Sequence, residues 1–234
     1  MGSDRDSSVK YALGIECSNP SARGTNRGEV ALAEIIDDGL KYVGSVGLSE
    51  DARGSDGLMG AIDALCAEHG VSAAEIGRVV VSVGPGGYTA LRISVTVAKV
   101  LGMSIGCGVV AVPTAAVAGV GLAGEDAVVA LASKKGRGHC TRVVGGEMTV
   151  LGVIGREEIA NCGAAVLVGD SYLPSEMVEA AQGAGMEVRG IELTARGCLE
   201  ASVGIGEIDP GELSVLYARE PDAVTQWRAL GKGK

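Results

Sequence analysis

Two places in the chain bring together residue types that could do chemistry. Glu16, Cys17 and Ser18 form a polar cluster at the end of the apolar run Tyr11 to Ile15, and Gly84-Pro85-Gly86-Gly87 breaks a second apolar run, Val79 to Val83. That second run reads as a buried strand, and Leu91, Val95, Ala98 and Leu101 behind the glycines recur at helical spacing. A strand, a glycine turn and a helix aim backbone N–H groups and the positive end of a helix dipole at one point, which suits an anion. Glu16, Ser18, Gly84, Pro85, Gly86, Gly87, Thr89 and Arg92 are therefore the candidate anion- or nucleotide-facing residues. The alternative is a tight connection with no ligand. A Walker A loop is excluded because Tyr88-Thr89 stands where Lys-Ser/Thr is needed, and the G-x-G-x-x-G spacing fails as well.

The elements that must position these residues follow from patterning. Tyr11 to Ile15, Glu29 to Ile36 and Leu40 to Val46 read as three antiparallel strands, the last two joined by a hairpin at Asp37-Asp38-Gly39. Ser55 or Asp56 caps a helix carrying Leu58, Ile62 and Leu65 on one face, closed by Gly70, and Ser72 and Glu75 have capping-box spacing. Gly108 to Val112 is a further strand, and Thr114 to Leu122 a helix leading out. The pattern then restarts. Ala127 to Leu131, Cys140 to Val144, Met148 to Ile154 and Ala165 to Val168 read as strands, Pro174 to Ala184 as a helix, Met186 to Ile191 as an apolar run with interleaved charges, and Thr194 to Val203 as a helix. The chain is thus expected to be an α/β protein of two lobes made by duplication of a βββαβα unit. The lobes span residues 10–118 and 119–234, with the closing segment 214–230 expected to pack back on the first lobe; the single tryptophan Trp227 either packs a closing helix there or serves a partner. Ligands on such paired lobes belong in the cleft between them.

Composition narrows the function classes. The chain has 234 residues with 38 Gly and no Phe, so its core must be built from Val, Leu, Ile and Ala. Its net charge of −9 works against unassisted binding to nucleic acid. Met1 to Lys10 is polar, and no run is expected to span a membrane, which points to the cytoplasm. Six scattered cysteines without a C-x-x-C pair are expected to be free thiols. His69 and His139 are the only histidines and lack metal-ligand spacing, and no G-x-S-x-G elbow suggests a serine nucleophile.

The segment AEIGRVVVSVGPGGYTALRISVTVAKVLG resembles the most recognisable stretch of the TsaB (YeaZ) family, whose usual form is a strand, GPGSFTGLR and a helix. Gly84, Pro85, Gly86, Thr89, Leu91 and Arg92 match, while Gly87, Tyr88 and Ala90 replace Ser, Phe and Gly. ALGIECSNPSA is similar to the family's opening strand, and Tyr217-Ala218-Arg219 to its closing Tyr-Leu-Arg. The resemblance implies a two-lobed acetate-kinase/Hsp70/actin-like (ribonuclease-H-like) fold. It also implies a non-catalytic subunit that pairs with and activates a TsaD-type threonylcarbamoyl transferase acting on adenosine 37 of tRNA. A TsaE-type ATPase is a further partner, the chain is a homodimer when alone, and tRNA is met only through the complex. No cofactor is required, with ATP or ADP allowed at a partner interface, and no metal is expected, because the catalytic relative's H-x-x-x-H is absent.

The implied partner interface is the apolar face of the first lobe's helices, Leu58, Ile62, Leu65, Leu91, Val95 and Ala98. The chain departs from the family at Ala132 to His139, where Lys134, Lys135 and Arg137 replace an acidic site, as a partner- or phosphate-facing patch or as a solvated hairpin tip. Two other readings remain. An independent ATP-dependent phosphotransferase or ATPase would use Glu16 as one Mg²⁺-holding carboxylate, but Ala132 stands where the second is expected. A homodimeric scaffold diverged to another task is the third.

Overall fold

Turn chemistry sets the first three strands. β1 (Tyr11–Glu16) pairs antiparallel with β2 (Glu29–Ile36), and β2 with β3 (Gly39–Gly47) across the Asp37-Asp38-Gly39 turn. Gly39 there takes a φ of 138°, which strains any residue with a Cβ. The structure, a computed structural model, describes residues 10–19, 28–48, 55–122, 124–218, 227 and 231. The expected polar start before residue 10, the caps Ser55 and Asp56 as side chains, and residues 219–226 and 228–230 of the closing segment lie outside the described residues, while 214–218 of that segment are not helical. Trp227 itself is 54% exposed, so its ring is not packed away.

The hairpin strands are followed by α1 (Ser55–Glu68), which ends where Gly70, at φ 66°, donates to Ala67 O and Val71 donates to Cys66 O. A single turn capped by the expected Ser72/Glu75 box leads into β4 (Ile76–Gly84), then α2 (Tyr88–Ile105), β5 (Gly108–Pro113) and α3 (Thr114–Gly119). The second lobe repeats the plan with β6 (Asp126–Ala132), β7 (Gly138–Val144), β8 (Glu147–Ile154), α4 (Arg156–Ala160), β9 (Val166–Gly169), α5 (Ser175–Gly183), β10 (Glu187–Gly190) and α6 (Ala195–Ala201). The sheet orders β3-β2-β1-β4-β5 and β8-β7-β6-β9-β10 are the same order in the same chain direction. Each sheet is mixed, with an antiparallel hairpin side and a parallel side reached by helical crossovers.

Five layers result. α1 and α2 cover the outer face of the first sheet over a core that includes Leu13, Leu32, Leu58, Leu65, Val81 and Val95. The second sheet's outer face carries Ile159, Leu167 and Met177 beneath α4 and α5. Between the sheets lies a shared core with α3 and α6, built largely from Val and Ala, including Ala12, Ala31, Ala33, Val110, Val129 and Val168. Small residues let α6 approach closely: a Cβ on Gly14 would collide with Leu199 and the Ala195 carbonyl. Because strands such as β4 are covered on both faces, they read as continuous apolar runs.

Two elements escaped the sequence reading: α4 with five residues, and β10 with four in the run read only as apolar with charges. All six cysteines are free thiols, and burial pushes Cys17 and Cys140 up to about 12. By length and composition α2 is apolar enough to cross a bilayer, contrary to expectation. Instead it packs on β4 and β5.

Beyond α6 the chain returns to the first lobe. Ile208 donates to Val109 O and closes the free edge of β5, Lys99 Nζ donates to Gly211 O, and Leu216 donates to Val83 O at 2.8 Å. Residues 205–217 therefore form a strap from the second lobe across the first.

Candidate functional site

The glycine turn joins β4 to α2, with Gly84 at φ 107° and Gly87 as the helix N-cap. It does not open toward a ligand. Gly87 N–H donates to Ser18 O at 2.6 Å, and a Cβ on Gly86 would overlap that same carbonyl. The turn is thus sealed onto the end of β1, and Gly86 is glycine because backbone meets backbone there. On the other side Gly84 lies against the Leu216 carbonyl of the strap.

At the end of β1 sits Glu16, 2% exposed. Its Oε1 accepts the Ser18 N–H at 2.6 Å, while Oε2 and the Ser18 hydroxyl have no partner in the protein. Burial is the main cause that pushes the Glu16 carboxyl above its usual range, with Glu29, its cross-strand neighbour, adding to it; the nearby Ser18 and Ser82 hydroxyls and the Ser18 N–H oppose the shift. A carboxyl held this way suits the neutral form.

Sequence reasoning looked for a second carboxylate at Ala132 and missed Asp170. It stands one residue beyond β9, and its Oδ2 accepts the Ala132 N–H at 3.0 Å and the Asn19 side-chain amide at 2.9 Å. Its Oδ1 accepts the Tyr172 N–H at 3.0 Å. Asn19 belongs to the first lobe, so Asp170 ties the ends of β6 and β9 to the end of β1. An acidic residue closing the apolar run Val166 to Gly169 was the available signal. Asp170 thus takes three donors from the protein, and Glu16 lies out of solvent. Among the described residues no group of three or more metal-ligating side chains is assembled. His69 is exposed beside Gly44 of β3, and His139 is half-buried on β7, where burial lowers it.

The remaining expected site residues fall elsewhere. Thr89 and Arg92 lie on the outer face of α2, where Arg92 stacks on the Tyr88 ring 5.2 Å from its centroid, so they do not join Glu16 and Ser18. The expected interface residues Leu58, Ile62, Leu65, Leu91, Val95 and Ala98 are all buried within this chain. That is a correction: the apolar faces of α1 and α2 are taken by their own sheet. What those helices turn outward is Met59, Thr96, Val100 and Met103, with Val100 53% and Met103 60% exposed. In the hairpin 133–137 between β6 and β7, Arg137 turns back to Val153 O and Glu158.

A family model described as TsaD, tRNA N6-adenosine threonylcarbamoyltransferase, matches residues 52–184, more than half of the chain. The chain belongs to the TsaD family. Two solved structures from Pseudomonas aeruginosa share its fold. One is described as an uncharacterized protein with similarity to peptidase YEAZ, with TM-score 0.67, 17% identity, and coverage of 90% of this chain and 100% of that one. The other is YeaZ, with TM-score 0.64, 17% identity, and coverage of 89% and 100%. Comparison with curated protein sequences gave no match. TsaD-family membership and the YeaZ-like two-lobed fold together support a role in the tRNA modification system.

Proposed function

We propose that the chain is a non-catalytic, YeaZ-type subunit that pairs with and activates a TsaD-type threonylcarbamoyl transferase. The observation that carries this reading is the outward stripe of α2, Thr96, Val100 and Met103, with Met59 also exposed on α1. An exposed apolar stripe at helical spacing is a surface for a partner's helices. Glu16 is buried and Asp170 already accepts three of the protein's own donors, which favours a subunit that does no chemistry itself. The phosphotransferase reading therefore loses its first carboxylate. Alone, the same stripe pairs two copies of the chain; tRNA and a TsaE-type ATPase are met through the transferase, and any ATP or ADP sits at that interface.

The test is light scattering of the chain mixed with the TsaD-type protein of its own organism. A stable one-to-one complex is expected. Val100→Asp with Met103→Asp should weaken it by about 100-fold, since two charges would be desolvated in an apolar contact. An unchanged affinity of the double variant would remove the stripe from the interface, and no complex with the parent chain would remove the reading.

A further inference from the structure

At the N-terminal end of the α2 stripe, three side chains from two distant parts of the chain form one exposed cluster. The Tyr88 and Tyr217 rings lie 5.6 Å apart, and the Arg92 guanidinium covers the Tyr88 ring and donates to its hydroxyl at 3.2 Å. In a chain with five tyrosines, one tryptophan and no phenylalanine, stacking two tyrosines at the surface is a concentrated use of aromatic area. Tyr88 is 54% and Tyr217 46% exposed. Beside them runs a groove of about 340 Å³ lined by Tyr88, Thr89, Arg92, Ile93, Thr96 and Val97.

Of the described arginines, Arg78, Arg137, Arg142, Arg189 and Arg196 each hold a carboxylate, while Arg92 and Arg156 do not, and Arg92 has only the neutral Tyr88 hydroxyl. Stacking fixes the guanidinium plane and leaves its remaining N–H groups free, which is the pre-organised state for bidentate capture of a carboxylate. Exposed Tyr and Arg beside an apolar groove are also the residue types that anchor protein interfaces. Nucleic acid fits poorly: a phosphodiester chain needs a row of cations, and here one guanidinium sits on a chain of net charge −9.

The geometry points to Arg92, Tyr88 and Tyr217 as a receptor for an acidic side chain of the partner subunit, with an apolar neighbour of that acid seated in the groove along Ile93. This rests on the pairing function proposed above and adds to it an ionic anchor at one end of the stripe. Tyr217 arrives on the strap, fixed by the Leu216 N–H bond to Val83 O, so the receptor draws on both ends of the chain's fold.

The experiment measures affinity of the full chain for the TsaD-type subunit by calorimetry at low and high salt. It compares the parent with Arg92→Glu, Arg92→Lys and Tyr217→Ala, and with the Val100/Met103 double variant. Expected are a loss of at least about 30-fold for Arg92→Glu, a smaller loss for Arg92→Lys, and disappearance of the salt dependence in Arg92→Glu. Arg92 is exposed, so thermal unfolding should not move and checks the fold. If Arg92→Glu binds like the parent while the double variant does not, the receptor is overturned and the pairing function stands. If the parent does not bind, both fall.

Discussion

Glu16 shows what a single residue can report. Its carboxyl is raised above the ordinary 4.5 by burial, so the folded state holds the proton more tightly than the unfolded chain. That contribution to stability is complete below the unfolded value and is lost as pH rises through the folded one. Glu16→Gln keeps a neutral side chain at every pH. Urea unfolding from roughly pH 4 to 8 should therefore show the parent losing stability with rising pH relative to the variant, and the variant should be the more stable at neutral pH. A parent and variant that run parallel would mean that Glu16 is ionised and accommodated. Gly86 makes a second point at this scale. Gly86→Ala places a methyl group inside the Ser18 carbonyl, a backbone atom that cannot rotate away, and should cost about 3 kcal/mol in the same assay.

Among the elements, those long enough to show a full period were legible in the sequence. β2, β3 and their D-G turn could be read from alternation and one glycine, and α2 from its spacing and its flanking glycines. α4 and β10 were not, because five and four residues do not complete enough of a period to stand out. The glycine turn was legible as a turn but not in its target, since nothing local shows that Ser18 O lies under Gly86. The expected partner-facing residues turn out to be buried for a related reason. Periodicity finds the most apolar face of a helix, and that is the face its own sheet takes, as with Leu58 and Val95; Val100 and Met103 become conspicuous only once burial is known. Asp170 was overlooked because the second carboxylate was sought at the end of β6, whereas it stands at the end of β9 and reaches back to Ala132.

At the scale of the whole molecule, two copies of one topology share an alanine- and valine-rich middle layer and are fastened at the rim by Asp170. Asp170→Ala would leave the Asn19 amide and the Ala132 and Tyr172 N–H groups without their acceptor. We expect a loss of about 3 kcal/mol and a larger radius of gyration by small-angle scattering, with Asp170→Asn milder in both. An unchanged radius would assign the hold between lobes to the middle layer alone. The strap bears on the order in which the protein matures. The ribosome makes β5 and Tyr88 well before residues 205–217, so during synthesis the β5 edge stands open to pairing with other nascent chains, and the aromatic receptor lacks its second ring. Only when the second lobe has been translated does the first acquire its finished surface, so the edge of β5 and the Tyr88–Tyr217 pair are completed late in the life of each newly made molecule.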